Sequence, residues 1–521
     1  MSLFKAASTV SLFTLASRVT GLVRELLMAS AFGASAMTDA FNVAFRIPNL
    51  FRRFFAEGAF SQAFIPALAA SKEQHGEEAT RLVIDRVATV LAWALVLTCV
   101  LGVLGAPWMV WAMASGLQQD PEGYDAAVFM TRWMFPYIGF MSMVALSAGV
   151  LNTWRRFAVP AATPVLLNLS MILAAWQGAP WLARLNIEPI FAMVGGVMLG
   201  GLLQLLLQVP VLARLGLLPR IGLSWGRVRQ AWADPATQQV VGLMLPALLG
   251  VGVAQISMMI NTQIASHLAP GSVSWITYAD RLMEFPTAML GVALGVVLMP
   301  QLAAARSKKD TAAYSDLLDW GLRLVVLMSV PSAVALLTFA KPLVATLYHY
   351  GQFSERDVLQ TTTALMGWGV GLIGVVAIKV LAPGYFANQD TRTPVKIALV
   401  VLCLTQVLNY GLVPYFQHAA LTLSIGLGAL INATWLLIGL VRRGSYRPLP
   451  GWSLFLLQVV AGSAMLAIFL MWAANEFAWV ALREQPWHRV GLLAALLLGS
   501  VLIYFGALWA AGVKLRQLLR R

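Results

Sequence analysis

Charge is scarce in this 521-residue chain: 11% of residues are Asp, Glu, Lys or Arg against 59% hydrophobic, and the mean hydropathy is +0.76. So little charge cannot cover the surface of a soluble fold of this size, which excludes a water-soluble globular protein. Cysteine is scarcer still. Cys99 and Cys403 both fall in apolar runs, so the chain has no disulfide framework and no thiol redox motif. The histidines His75, His267, His349, His418 and His488 are scattered without metal-ligand spacing. A Walker lysine motif, a nucleophile elbow and a paired-carboxylate hydrolase arrangement are all lacking, so no catalytic constellation is expected and the chain does not read as an enzyme. Long polar stretches are missing too. The longest gap between apolar runs, about 214–238, is basic and tryptophan-containing, and it reads as a solvated connector in preference to an amphipathic surface stretch.

What the chain has in abundance is apolar runs of about 20 residues, the length a helix needs to cross a bilayer core. Fourteen are predicted, near 8–32, 36–70, 82–113, 126–152, 158–178, 187–213, 238–267, 272–304, 316–345, 358–386, 394–415, 419–441, 452–475 and 488–512. The fold class expected is therefore an all-α polytopic membrane protein. A net charge of +14 would suggest nucleic acid in a soluble protein. Here the cations fall in alternate loops, so nucleic acid is not an expected partner. Lys5, Lys72, Arg81, Arg155, Arg156, Arg214, Arg220, Arg227, Arg229, Arg306, Lys308, Lys309, Arg392, Lys396, Arg442, Arg443, Arg447, Lys514, Arg516, Arg520 and Arg521 share one side. By the positive-inside rule that side is the cytoplasm, and both termini lie on it. The opposite loops hold few cations, such as Arg184, Lys341, Arg356, Arg483 and Arg489. Lys5 followed by Val10 to Ala16 is not read as a secretory signal, because the run continues through Arg18 and Arg24 into a full span.

The chain repeats itself at an offset of about 236 residues. Met28-Ala29-Ser30 recurs as Ile264-Ala265-Ser266, and Pro66-Ala67-Leu68-Ala69-Ala70-Ser71-Lys72 as Pro300-Gln301-Leu302-Ala303-Ala304-Ala305-Arg306. Asn152, Arg156 and Pro160 recur as Asn388, Arg392 and Pro394. Six spans per copy is an even number, so both copies enter the membrane in the same orientation. Such parallel repeats characteristically place a central site between the halves. The predicted organisation is a first lobe over 1–232, a second over 233–447, and two added spans with a basic tail over 448–521.

Arginine recurs where a membrane protein can least accommodate it. Arg18 and Arg24 interrupt the first run, Arg46, Arg52 and Arg53 crowd the second, and Arg281 sits in the eighth. A cation at the centre of a lipid-facing helix costs roughly 2.5–3.5 kcal/mol on the lenient insertion scale, so these side chains must face a polar interior. Guanidinium is a fork-shaped donor suited to phosphate and carboxylate, which makes an anion the expected guest. At 100° per residue Ser17, Gly21, Arg24 and Met28 share an arc of the first helix with Arg18 and Glu25 on its flank, opposite Val19, Val23, Leu26 and Leu27. The competing reading is an internal ion-pair network in which Glu25 neutralises an arginine.

Around Pro48 the second run carries Asp39, Asn49, Arg52, Arg53, Glu57 and Ser61. Arg53 and Glu57, four apart, suit a structural pair, which leaves Arg52 the better ligand candidate. Arg281 has Asp280 beside it and Glu284 three residues on; a structural pair and a site are both open, and its place in the second repeat favours the site. Lys379 is a lone cation within the tenth run, able to snorkel, pair or touch substrate. Gly369-Val370-Gly371-Leu372-Ile373-Gly374 fits the dinucleotide-binding pattern, but it follows no strand. It reads instead as small residues for close helix packing, as do Gly195-Gly196 and Gly200-Gly201.

Ser17-Arg18-Val19-Thr20-Gly21 with Arg24, Thr38-Asp39-Ala40-Phe41, Pro48-Asn49-Leu50-Phe51-Arg52-Arg53 and Ala56-Glu57-Gly58-Ala59-Phe60-Ser61-Gln62-Ala63-Phe64 resemble the MurJ (MviN) family of lipid II flippases. So do Ser272-Val273-Ser274-Trp275, Tyr278-Ala279-Asp280-Arg281-Leu282-Met283-Glu284-Phe285-Pro286 and Lys379-Val380-Leu381-Ala382-Pro383-Gly384, and the likeness covers essentially the whole chain. The resemblance implies a fold of the multidrug/oligosaccharidyl-lipid/polysaccharide exporter type: fourteen transmembrane helices, two six-helix lobes around a central cationic cavity, and two C-terminal helices bordering a polyprenyl tail. It implies the substrate as well, lipid II, an undecaprenyl-pyrophosphoryl disaccharide-pentapeptide, moved across the bacterial inner membrane. The family's cavity residues correspond to Arg18, Arg24, Asp39, Arg52 and Arg281, with Ser17, Asn49, Arg53, Glu57, Glu284 and Lys379 as secondary candidates. No cofactor or metal is expected. A sodium site known in some members has no matching ligand pattern here, so coupling to the membrane potential or to a cation stays open. Membrane lipids and the cell-wall synthesis machinery are the other partners the resemblance implies. The alternatives are an exporter of another polyprenyl-linked saccharide or of a drug, which would carry acidic cavity residues, and a membrane glycosyltransferase or ligase, which would need a sizeable extracytoplasmic loop.

The alternating loop charge makes a direct prediction. In a background lacking Cys99 and Cys403, cysteines placed near Gly123 and Gly271 react with an impermeant thiol reagent from outside the cell, and one near Gly76 does not. External labelling near Gly76 would overturn the fourteen-span reading.

Overall fold

A computed structural model describes residues 3–53, 59–288 and 293–513, and among these every regular element is a helix. Glu57, Lys514, Arg516, Arg520 and Arg521 lie outside the described residues. Ten helical segments among those described are long and apolar enough to cross a membrane, and the chain is an all-α polytopic membrane protein. It divides into two compact units, Met1–Val273 and Ser274–Arg521.

The first unit contains α1 (Leu3–Phe32), α2 (Ala36–Arg52), α3 (Ala59–Leu104), α4 (Ala106–Ala114), α5 (Pro121–Met134), α6 (Tyr137–Thr153), α7 (Ala158–Leu173), α8 (Ala179–Arg184), α9 (Phe191–Arg214), α10 (Trp225–Trp232) and α11 (Pro235–Ser266). Short polar signals start these helices. Ser35 caps α2 by accepting from the Thr38 amide at 3.2 Å, after the chain has turned at Gly33 with φ +62°. Asp234 caps α11 through the Ala236 and Thr237 amides, with Pro235 at the first helical position. The long α3 breaks at Gly76, whose φ of +79° is open to glycine alone at little strain. In the second repeat Lys309 takes the equivalent turn at φ +57°, so both copies reverse direction just after the Pro-x-Leu-Ala-Ala motif. The repeat boundary read from sequence, 232/233, and the division by contact, 273/274, differ by α11, which packs on α3 and α4 within the first unit. The stretch expected to be a solvated connector, largely exposed, contains a short helix. That helix is α10, and the approach to it is hydrogen-bonded to α3.

The second unit contains α12 (Ser272–Thr287), which opens across the unit boundary, then α13 (Ala293–Ser307), α14 (Thr311–Thr338), α15 (Ala340–Tyr348), α16 (Glu355–Ala387), α17 (Arg392–Phe416), α18 (His418–Arg442), α19 (Trp452–Glu476) and α20 (Pro486–Ala510). A capping box starts α16: Ser354 accepts from the Asp357 amide while Asp357 accepts from that of Ser354. The glycine pattern expected to serve packing does so. A Cβ added at Gly371 would lie 2.0 Å from Cα of Gly426, and one at Gly374 would lie 2.5 Å from the Leu430 nitrogen, so α16 and α18 meet backbone to backbone. Gly196 and Gly200 likewise abut α7, whereas Gly195 faces open space.

The added hairpin of α19 and α20 is fastened at both ends. At one end, buried Asp319 of α14 accepts from Tyr446 Oη (2.8 Å), the Leu449 amide (3.0 Å), Trp452 Nε1 (2.7 Å) and Arg323 Nε (2.7 Å). At the other, Arg489, fully buried, donates to the carbonyls of His349 and Trp479 and lies over the Tyr350 ring, and Arg483 donates to the Gly351 carbonyl at 2.6 Å. Burial, aided by the cations of Arg483 and Arg489, holds the His349 imidazole below its usual pKa.

Gly371→Ala is expected to destabilise the protein by about 1–3 kcal/mol, the usual cost of overpacking, because the new methyl meets backbone that cannot move aside. Gly411→Ala on α17, with nothing within 4 Å, should be tolerated. Thermal unfolding of the detergent-purified variants checks both, and an unchanged midpoint for Gly371→Ala would contradict the packing account.

Candidate polar site

The polar arc predicted on α1 is real and turned inward: Gly21, Arg24, Glu25 and Met28 are buried, while Val19 and Val23 are exposed. It does not open onto free space. Arg24 forms an ion pair with Glu25, and its Nη1 donates to Asn168 Oδ1 of α7 at 3.0 Å and approaches Met171 Sδ at 3.7 Å. Asn168 in turn donates to the Ser17 carbonyl at 2.9 Å and to Thr20 Oγ1 at 3.2 Å. Gly21 faces the Asn168 side chain, where an added Cβ would make an ordinary contact at 3.5 Å from Nδ2. Arg24 therefore takes up the ion-pair arrangement that competed with the ligand reading, and α7 supplies a neutral acceptor to hold it. Arg18, exposed, stands outside this network.

On α2 the arginines are oriented by neutral oxygens of the first unit. Arg46 donates to Thr262 Oγ1 at 2.7 Å and Arg53 to Gln255 Oε1 at 3.3 Å, both on α11, while Arg52 Nε donates to Asn49 Oδ1 at 3.0 Å. Asn49 also donates to the Phe45 carbonyl at 2.9 Å, adding a donor close to where Pro48 removes a backbone N–H. The helix runs through Pro48 to Arg52. Asp39, 4% exposed, accepts from the Gly271 amide at 2.8 Å. The expected Arg53–Glu57 pair lies outside the described residues.

Within the second unit, Arg281 donates to Glu284 at 2.7 Å, the structural pairing left open by the sequence, with its side chain still 30% exposed. Asp280 accepts from Trp368 Nε1 of α16, and Trp275 Nε1 donates to Asp357 at 2.8 Å, so indole N–H groups tie α12 to α16. Tyr278 adds ring contacts to Tyr348 and Phe353. Lys379 is exposed on α16.

The residues that hold the arginines were missed in sequence. Asn168 and Gln255 are polar side chains with apolar residues on either side, whereas Thr262 lies between Asn261 and Gln263, and which arginine each meets depends on helix packing. A neutral amide or hydroxyl orients a guanidinium without cancelling its charge. Between Arg18 and Glu57 five arginines stand against three carboxylates, Glu25, Asp39 and Glu57. Replacing Asn168 by leucine should cost about 2 kcal/mol, the loss of a hydrogen bond to a charged group. An unfolding midpoint unchanged from that of the parent chain would show that the α1–α7 clamp contributes nothing.

Comparison with known proteins gives one answer throughout. The family model for lipid II flippase MurJ matches residues 28–486. A lipid II flippase MurJ from Burkholderia cenocepacia is 52% identical over 521 residues, covering all of both chains. A probable lipid II flippase MurJ from Vibrio cholerae is 36% identical over 99% of this chain and 97% of its own. Among solved structures, a lipid II flippase MurJ in an inward closed conformation superposes with a TM-score of 0.78 at 21% identity, covering 98% of this chain and 99% of that one. An inward-facing multidrug resistance transporter of the MATE family superposes with a TM-score of 0.58 at 16% identity, covering 82% and 94%. At those identities the structural likenesses speak for the fold alone.

Proposed function

The chain belongs to the lipid II flippase MurJ family, and from that premise we propose that it carries lipid II from the cytoplasmic to the periplasmic leaflet of the bacterial inner membrane by alternating access. The observation that carries this reading is the 52% identity over the full length to a lipid II flippase. The chemistry of the arginines supports it. Lipid II joins a pyrophosphate to sugars and a peptide, and such a headgroup cannot leave water for about 30 Å of hydrocarbon unaided. Guanidinium forks replace its hydration with bidentate, charge-assisted hydrogen bonds.

In this proposal Arg18, Arg24, Asp39, Arg52 and Arg281 form the substrate-binding set. Arg18, exposed on α1, is placed to turn toward an anion, and Asn49 orients the Arg52 fork. Arg24 can do so by exchanging Glu25 for the pyrophosphate while Asn168 keeps hold of the same guanidinium. Asp39 acts through the chain that it holds at Gly271. Arg281 would make the equivalent exchange with Glu284 in the second unit. Fourteen spans put both termini in the cytoplasm, the repeats over 1–232 and 233–447 form the moving lobes, and the hairpin in 448–521 borders the undecaprenyl tail, which stays in lipid. Excess positive charge on moving helices allows the membrane potential, worth about 2.3 kcal/mol per charge per 100 mV, to bias reorientation.

Alanine at Arg18, Arg52 or Arg281 is expected to leave the protein in the membrane at near-normal abundance while transport of lipid-linked precursor collapses. Lysine, which keeps the charge but loses the fork, should fall between. Precursor accumulation on the cytoplasmic leaflet, scored beside protein level, measures this. Full transport by both Arg18→Ala and Arg52→Ala at normal abundance would overturn the anion-binding role.

A further inference from the structure

Between α9 and α11 the chain does not simply cross solvent. Residues 220–222 are stitched to successive turns of α3. The Arg220 amide donates to Asp85 Oδ1 at 2.8 Å, the Gly222 amide to Thr89 Oγ1 at 2.9 Å, and Trp93 Nε1 to the Gly222 carbonyl at 2.9 Å. Asp85, Thr89 and Trp93 lie four residues apart, one turn above another on a single face of α3. The helix changes character there. Asp85 and Arg86 are its last charged residues, and from Trp93 onward it exposes Val96, Leu97, Val100 and Leu101, the outer surface of a membrane span. The bonded strap is thus held at the level where that apolar surface begins.

The side chains the strap leaves uncovered suit that level. Leu223 is 80% and Trp225 82% exposed, and Leu218, Ile221 and Trp232 are exposed as well. On α10, Trp225, Arg229 and Trp232 follow at i, i+4 and i+7 and share one face, while Ala231 packs inward and Gln230 points elsewhere. From residue 214 to 234 the charges are Arg214, Arg220, Arg227 and Arg229 against Asp234, and Asp234 is already engaged by Arg86 and by capping α11. Exposed tryptophan and leucine interleaved with uncompensated arginine match the boundary between acyl chains and anionic headgroups.

We propose that the strap of residues 218–232 is a membrane-surface element that docks on the anionic phospholipid headgroup layer, with Leu223, Trp225 and Trp232 dipping below the phosphates and Arg220 and Arg229 pairing with them. It rests on the placement of α3 in the membrane and is independent of the substrate and of the sidedness proposed above. The partner is the bilayer itself, chosen over a soluble protein because the strap is bonded at membrane-boundary depth and both of its ends enter spans.

The test uses the full chain, free of Cys99 and Cys403, in nanodiscs, with a nitroxide on a single cysteine at Leu223, Trp225 or Gln230, all exposed, so that folding is not at issue. Collision with oxygen, which concentrates in lipid, is compared with collision with a water-soluble nickel chelate. In phosphatidylglycerol nanodiscs, labels at 223 and 225 should show a several-fold higher oxygen-to-nickel ratio than the label at 230. The ratio should fall in neutral phosphatidylcholine and after Arg220→Gln with Arg229→Gln. Nickel access at 223 and 225 matching that at 230, as for a surface awaiting a soluble partner, would overturn the docking surface. Equal immersion in both lipids would overturn the pairing with anionic headgroups.

Discussion

A guanidinium at membrane depth must find acceptors within the protein, because lipid offers none and the group stays protonated at any accessible pH. Much of the polar architecture follows from that constraint. Arg24 draws Glu25 and Asn168 to itself and so fixes α1 on α7. Arg46 and Arg53 reach Thr262 and Gln255 and so fix α2 beside α11 within the first unit. Arg323 fixes Asp319, which then gathers the chain leading to α19. Arg489, with no exposed surface at all, turns its two terminal nitrogens to backbone carbonyls and lies over a tyrosine ring. Each group is costly to bury and very costly to strand, so removing its partner does more harm than the pair does good.

The partners divide into two kinds, with different consequences. Carboxylate partners such as Glu25, Asp319 and Glu284 cancel charge and make a pair that incoming anions must compete with. Amide, hydroxyl and carbonyl partners leave the charge in place and only orient the fork. A site meant to receive an anion and release it needs both kinds. Neutral partners keep the donors aimed, and a displaceable carboxylate keeps the empty site from holding a bare cation cluster. Arg24 has one partner of each kind.

Elsewhere the fold relies on closeness in place of polarity. Gly371 and Gly426 let α16 and α18 touch along their backbones, where dispersion between main chains replaces the hydrophobic force that lipid removes. The aromatic cluster of Tyr278, Tyr348 and Phe353, with the indole bonds from Trp275 and Trp368, gives α12 a framed position against α16, so Arg281 is carried by a rigid element.

Much of this was legible in the sequence. Span lengths, the repeat and the inward turn of the α1 arc depend on hydropathy and helical period, which are local properties of the chain. The glycine pattern of α16 could be read as packing because no strand preceded it. The resemblance carried by the second-span motif named the family before any geometry was known. What only the tertiary structure decided was the distant, neutral partner of Arg24, Arg46 and Arg53. Asn168 is 144 residues from Arg24 and Thr262 is 216 from Arg46, and nothing local to either arginine specifies them. The choice of these hydrogen-bond partners depends on which helix faces come within about 3 Å of one another after packing, a property beyond the local sequence. The attachment of residues 220–222 to α3 was not legible for the same reason. The composition of that stretch alone suits a solvated connector, and the bonds with Asp85, Thr89 and Trp93 that hold it against α3 exist only once α3 stands beside it.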